Sequence, residues 1–345
     1  MTSKFKDSEL LNLFNRVYND KMIVDKKSGI SDEDDIRQYC KKVFGDGELN
    51  PDPLALHQFN NLVVKQADEI AKPMVTDIVG LLANTQLEKR GTVVEYDLPS
   101  KRKARFVWSA NGVGVDMIRV AGKKKEVAVP RTFSTGFYYE PDDLVSDSVQ
   151  AFKDLINDLA ETKVKLYLKE INKLIIAAKN TQKIPKKNIT EVSNVQLADY
   201  NKMASVLGRF GGRPLFIADT LLIDHIAMQQ STTEGISNLL IDKYKNELLT
   251  SLNITTIGRT DAMNLSNPFI DDANAVTEFP VDTGYMLAGE GKLKPFRVVE
   301  YGGMRQTSYT DFETERIMVK IFQDAAIVFV FPNLLGYIKD DSIVL

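Results

Sequence analysis

Apolar residues recur along this chain with two periods, and the places where one gives way to the other divide it into segments. Across residues 53–84, Leu54, Leu56, Phe59, Leu62, Val63, Ala67, Ile70, Val75, Ile78, Leu81 and Leu82 suit a helix. An interruption is expected near Pro73, where a backbone donor is missing. Residues 91–131 switch to alternation at 92–98, 105–108 and 113–120. Turn signals at Pro99-Ser100, Asn111-Gly112 and Ala121-Gly122 make these successive antiparallel strands. Then Glu140-Pro141-Asp142-Asp143 opens a helix, with proline in the first turn and acids at the positive end of the dipole. Its stripe of Val145, Val149, Phe152, Ile156, Leu159, Leu166, Ile171, Leu174, Ile175 and Ala178 continues to about residue 179. At roughly 1.5 Å per residue that helix is about 50 Å long, a spine for the subunit.

The flanks are different in character. Residues 1–50 are polar, with short helical patterns at 8–18 and 31–44, the second capped by Ser31 ahead of Glu33, Asp34 and Asp35. Too few large apolar residues are present for a core, which predicts an extended arm with helical pieces. After a Lys- and Asn-rich linker at 180–193 the pattern turns mixed. A helix at 197–207, a turn at Gly211-Gly212-Arg213, a short buried strand at 214–218 and a helix at 221–229 capped by Asp219 are expected, then a helix at 236–249. Strands are expected at 296–301, 317–322 and 325–331. The fold class is α+β.

Composition narrows the function classes. A chain of 345 residues, 43% apolar and 26% charged, can bury a large core split into two or more lobes. A net charge of -3 argues against a dedicated nucleic-acid binder. The single cysteine, Cys40, excludes an internal disulfide and a multi-thiolate metal site. No signal-peptide pattern or membrane-spanning apolar run stands out, so neither ordinary secretion nor membrane insertion is expected. Charge is unevenly distributed: residues 91–131 hold nine Lys or Arg against four acids, and residues 261–290 hold six acids and no Lys or Arg. Lysine-rich turns at Lys101-Arg102-Lys103 and Lys123-Lys124-Lys125 serve equally to protect a solvated hairpin and to meet an oppositely charged subunit.

Catalytic chemistry finds no foothold. Neither Asn-Gly-Val-Gly-Val-Asp at 111–116 nor Arg-Phe-Gly-Gly-Arg-Pro at 209–214 places its glycines as a phosphate loop requires. His57 and His225 are far apart, each in a helical apolar pattern that suits a buried or half-buried structural histidine. Asp271-Asp272 lacks calcium-loop spacing. No metal site, cofactor or catalytic set is expected.

The order polar arm, basic hairpin, spine helix, mixed lobe and return strands resembles the major capsid proteins of tailed bacteriophages, the Hong Kong 97-type shell fold. The similarity is most specific at residues 136–144 (Gly-Phe-Tyr-Tyr-Glu-Pro-Asp-Asp-Leu), at 213–222 (Arg-Pro-Leu-Phe-Ile-Ala-Asp-Thr-Leu-Leu) and in the closing region from Lys294-Pro295 to Phe331-Pro332. The resemblance implies an N-terminal arm (1–50), a helical junction (51–90) and an extended β-hairpin loop (91–135). It further implies a peripheral domain with the spine helix (136–194), an axial domain (195–291), and return strands with a tail (292–345).

The implied function is self-assembly through pentamers and hexamers into an icosahedral shell around double-stranded DNA, contacted without sequence specificity. The implied location is the virion, assembled in the host bacterial cytoplasm with no membrane. Some relatives carry a large cleavable scaffolding segment in front of the arm, for which about 50 residues are too few; if this chain is the full gene product, a separate scaffolding protein is the expected partner, with a portal. Candidate contacts between subunits are Lys101, Arg102, Lys103, Arg105, Lys123, Lys124 and Lys125 on the hairpin, and Asp271, Asp272, Glu278 and Asp282 on the acidic stretch. Some relatives crosslink a hairpin lysine to a neighbour's asparagine. Asn333 lies near the C-terminus here, but no assisting acid can be matched and no crosslink is expected. The rival readings are an encapsulin-type cargo compartment and a two-lobed α/β enzyme.

Overall fold

The computed structural model describes residues 7–19, 21–24, 31–45, 51–98, 125–146, 148–232, 254–265, 267–289, 293–311 and 313–345. In chain order its elements are α1 (Asp7–Tyr18), α2 (Asp32–Phe44), α3 (Pro53–Leu82), β1 (Ala83–Glu88), β2 (Val94–Asp97), β3 (Lys125–Ala128), β4 (Arg131–Tyr139), α4 (Pro141–Ser146) and α5 (Ser148–Asn180). There follow β5 (Ile189–Val192), α6 (Leu197–Leu207), β6 (Leu215–Ala218), α7 (Thr220–Thr232), β7 (Thr256–Ile257), β8 (Thr260–Asn264), β9 (Thr283–Leu287), β10 (Phe296–Asp311), β11 (Arg316–Phe329) and β12 (Leu335–Asp340). The α+β expectation is met. The strands expected at 105–108 and 113–120 and the helix expected at 236–249 lie outside the described residues.

The chain divides into two compact units. The first comprises Met1–Val94, Val127–Leu168 and Val298–Ile327. Its sheet has the order β1-β10-β11-β4, with β4 antiparallel to β11 from Tyr139 opposite Ile317 to Arg131 opposite Ala325. The return strands depart from the expectation: β10 runs to 16 residues, and the strands expected at 317–322 and 325–331 are joined in one 14-residue strand, β11, paired without a break along β4 as far as Ala325. Against expectation α3 runs through Pro73 unbroken. Buried Ala67, Ala71, Val75 and Val79 keep one face of the helix packed on both sides of the proline, and that packing outweighs the lost hydrogen bond. The expected spine is described in two stretches, α4 at Pro141–Ser146 and the 33-residue α5 at Ser148–Asn180, with Asp147 between them outside the described residues.

Residues 7–45 also depart from the extended arm expected. Leu10, Leu13, Phe14 and Val17 of α1, and Ile36, Cys40, Val43 and Phe44 of α2, are buried in one core with Phe59, Leu62 and Val63 of α3, Tyr139, and Ile156 of α5. Each stripe is too short to form a core alone, but laid over α3 the two complete one. Polar contacts lock the arrangement. Ser31 Oγ accepts from the Asp34 N–H while the Asp34 carboxylate accepts from the Ser31 N–H, both at 3.2 Å, a reciprocal cap on α2. Arg16 donates to both oxygens of Asp32 at 2.8 and 2.7 Å, and that pairing holds the Asp32 carboxyl below its ordinary range.

A buried ionic cluster sits in the same unit. Lys163 Nζ lies 2.8 Å from Asp68 Oδ1 and 3.0 Å from Glu300 Oε1, and the Tyr167 hydroxyl donates to Glu300 at 2.7 Å. The Lys163 side chain is 6% exposed. Burial, reinforced by the charge of Glu300, pushes the Tyr167 phenol far up.

The second unit comprises Glu95–Glu126, Lys169–Arg297 and Val328–Leu345. It carries a six-stranded sheet in the order β5-β12-β9-β6-β8-β7, in which β6 and β8 are parallel and β9 is antiparallel to β6 and β12. Tyr200, Met203, Leu207, Phe216, Leu222, Ile223, Ile226, Met286 and Ile338 form its core. Asp219 caps α7 as expected, accepting from the Leu221 N–H at 2.9 Å.

Candidate assembly surfaces

The parallel strands β6 and β8 start together and end together, in the register Leu215 opposite Asp261 and Ala218 opposite Asn264. Two chemically opposed surfaces therefore sit at their two ends.

At the N-terminal ends of both strands an open cavity of about 880 Å³ is lined by Arg209, Arg213 and Arg259, with Gly208, Gly212 and Gly258 among the remaining wall. Gly211 and Gly212 hold φ of 104° and 68°, left-handed backbone that turns the chain from Phe210 back into β6. Arg213 is braced from the β7–β8 turn: its Nε donates to the Arg259 carbonyl at 3.2 Å and stands 3.1 Å from Asp261 Oδ1. Neither Arg209 nor Arg259 has an ion pair among the described residues. A Cβ at Gly289 would occupy the space of the Arg213 backbone, so the two segments touch only because that position is glycine. Gly289→Ala is expected to cost about 1–3 kcal/mol by overpacking, read as a lower urea midpoint of the full chain.

At the C-terminal ends of the strands, residues 265–282 leave β8 and return to β9. The base of this loop is anchored: Leu265 N–H donates to Ala218 O at 2.8 Å, and Asn267 Nδ2 donates to Asp219 Oδ2 at 2.7 Å and to Phe279 O at 2.9 Å. A bridge between Phe269 and Thr277 narrows it. At the tip the Asp271 carboxylate accepts from the N–H groups of Val276 at 2.7 Å and Ala275 at 3.1 Å, which holds its pKa below the ordinary value. Phe269, Ile270 and Val276 are left 45%, 59% and 51% exposed beside the exposed Asp272.

The acids singled out from the sequence thus meet different fates. Glu278 is 9% exposed and pairs with Lys169 at 2.6 Å. Asp282 accepts from Thr283 Oγ1 at 2.9 Å and stands 3.4 Å from Lys339. Asp271 is turned into its own loop, and Asp272 has no ion pair among the described residues. Of the hairpin cations, Lys125 is exposed on β3 and pairs with Glu95 of β2 at 2.7 Å, which holds its ammonium above the ordinary pKa. Lys101, Arg102, Lys103, Arg105, Lys123 and Lys124 lie outside the described residues.

The histidines divide. His225 is half-buried beside Asn194 at 3.1 Å and Asp340 at 3.4 Å, whereas His57 is exposed on α3 next to Gln306, a correction to the buried position its pattern suggested. Leu56 and Phe59 turn inward, whereas His57 shares the outer face of the helix with the exposed Leu54. Among the described residues no three His, Cys, Asp or Glu side chains are placed to hold a metal ion, and no helix is long and apolar enough to cross a membrane.

Comparison with known proteins supplies what these surfaces alone do not. Residues 9–339 match the model of a family described as "SPbeta prophage-derived putative capsid protein YonB". The SPbeta prophage-derived protein YonB of Bacillus subtilis (strain 168) is 54% identical over 341 residues, 99% of each chain. The chain belongs to this family. It is thereby a capsid protein of the phage type recognised from the order of its elements, a class that assembles as many copies and ends in the virion. Solved structures with a similar outline include one from Mycobacterium phage Bobi, at TM-score 0.49 and 10% identity over 76% of this chain and 89% of that one. Another is the satellite phage P4 procapsid with its size determination protein, at 0.45 and 9% identity over 84% and 92%. A third is the holo-SrpI encapsulin complex from Synechococcus elongatus PCC 7942, at 0.44 and 10% identity over 78% and 89%.

Proposed function

We propose that this chain is the major shell subunit of a phage-type head. Copies gather as pentamers and hexamers and close into an icosahedral shell around double-stranded DNA, in the host cytoplasm, with a separate scaffolding protein and a portal. Membership of the capsid family across nearly the whole chain carries this reading. The chemistry of the subunit is assembly: many modest interfaces closed by symmetry. Its net charge of -3 suits a container that holds DNA without reading its sequence. The segment 91–135 is the extended loop in this reading, with Lys101, Arg102, Lys103, Arg105, Lys123, Lys124 and Lys125 directed at a neighbour.

Sedimentation and negative-stain electron microscopy of the purified chain, alone and with a scaffold candidate, at low and high salt, test the proposal. Shells, tubes or ring-shaped capsomers are expected. A monomer under every condition would overturn it, and protein cargo in place of DNA would favour a compartment. Changing Lys101, Arg102 and Lys103 together to Glu is expected to leave a folded subunit, by circular dichroism, with a several-fold loss of closed shells that normal yield would contradict.

A further inference from the structure

The arginine cavity and the acidic loop lie at opposite ends of the same two strands, and that separation has a consequence. Strands of four and five residues set the two surfaces about 13–17 Å apart. The loop base is tied by Asn267 to Asp219 and by Leu265 to Ala218, at the end away from the arginines. We propose that the loop of one copy, residues 267–279, seats in the Arg209, Arg213 and Arg259 cavity of the next copy, a head-to-tail contact repeated around each capsomer. The proposal rests on the shell reading above.

The two surfaces match in charge and in kind. Asp272 brings an exposed carboxylate without an ion pair among the described residues, and Arg209 and Arg259 bring guanidinium groups in the same condition. Phe269, Ile270 and Val276 bring apolar surface to a wall whose glycines allow close approach. The loop is already ordered by its Asn267 tie and its Asp271 turn, so little conformational freedom remains to be lost on docking. A contact between two different patches of one chain is heterologous, and such a contact generates a ring when its rotation closes. The acidic stretch thereby gains a partner in the arginines of the next copy. Glu278, Asp282 and Asp261 are engaged inside their own subunit, which among the described residues leaves the acids of the tip.

The test uses two full-length variants of different tag length, Arg259→Cys and Asp272→Cys, assembled together and oxidised with copper phenanthroline. Native Cys40 is fully buried and gives little background. A mixed disulfide that forms in shells and not in monomer is expected. A second arm changes Arg209 and Arg259 together to Glu. Assembly is expected to fall at least about tenfold, the scale of a lost interfacial charge pair, and Asp272→Lys on the same chain is expected to restore part of it. Shells that form without the mixed disulfide overturn the contact and leave the shell reading standing. Arginine variants that assemble normally but retain less DNA overturn it in favour of a phosphate-binding role. A wild-type chain that never assembles overturns both.

Discussion

Lys163→Ala is expected to destabilise the subunit by about 3–5 kcal/mol, the scale for removing one partner from a buried ion pair. Lys163 stands between Asp68 and Glu300, and Tyr167 spends its hydroxyl on Glu300. Without the ammonium, Glu300, only 7% exposed, is left with no cation beside Asp68, which keeps the exposed Lys72 at 3.5 Å. Urea unfolding followed by circular dichroism measures the loss. The triple replacement Lys163→Met, Asp68→Asn and Glu300→Gln is expected to recover most of it, because the desolvation of unpaired charge vanishes with the charges. A loss below about 1 kcal/mol for Lys163→Ala would mean that water reaches the cluster and screens it.

Phe44→Ala should have an effect of similar size, about 3–5 kcal/mol. Its ring is fully buried and stands edge-on to Phe59 at 5.2 Å and to Tyr139 at 6.0 Å. Those partners come from α3 and β4, so the residue joins α2 to the body of its unit. A free arm would unfold its own helix at no cost to the rest. The thermal midpoint of the full chain distinguishes the two cases: a drop of several degrees follows from the packing observed, and an unchanged midpoint would contradict it.

The long-range order of the fold was legible where a pattern ran long enough to be unambiguous. The helix of residues 53–82, the spine, the caps at Ser31 and Asp219, and the apolar return strands all follow from spacing and capping. Three features were not legible, for different physical reasons. The helices at 7–18 and 32–44 were legible as helices but not as part of a core, because their stripes meet a partner remote in sequence and counting apolar residues in isolation underestimates them. The strand Ile189–Val192 lies in a polar linker and gains its identity from pairing with β12. Pro73 is a local breaker overruled by packing.

The candidate assembly surfaces were half legible. Charge counting pointed to residues 261–290, but could not tell Glu278, matched by Lys169, from Asp272. The arginine cavity escaped because Arg209 and Arg213 are separated from Arg259 by more than forty residues. The available signal was a pair of arginines flanking Gly211-Gly212 with a second glycine-arginine pair at Gly258-Arg259. Read as a phosphate loop that run fails; read as a turn presenting two guanidinium groups it does not.

The burial of α1 and α2 also governs how a head precursor could be trimmed. A protease cutting between α2 and α3 would release the helices that cover Phe59, Leu62 and Val63, and the remnant would present an apolar face suited to aggregation rather than to a lattice. Release of α1 and α2 after such a cut requires opening the core they share with α3, so their loss should track the folding stability of the unit.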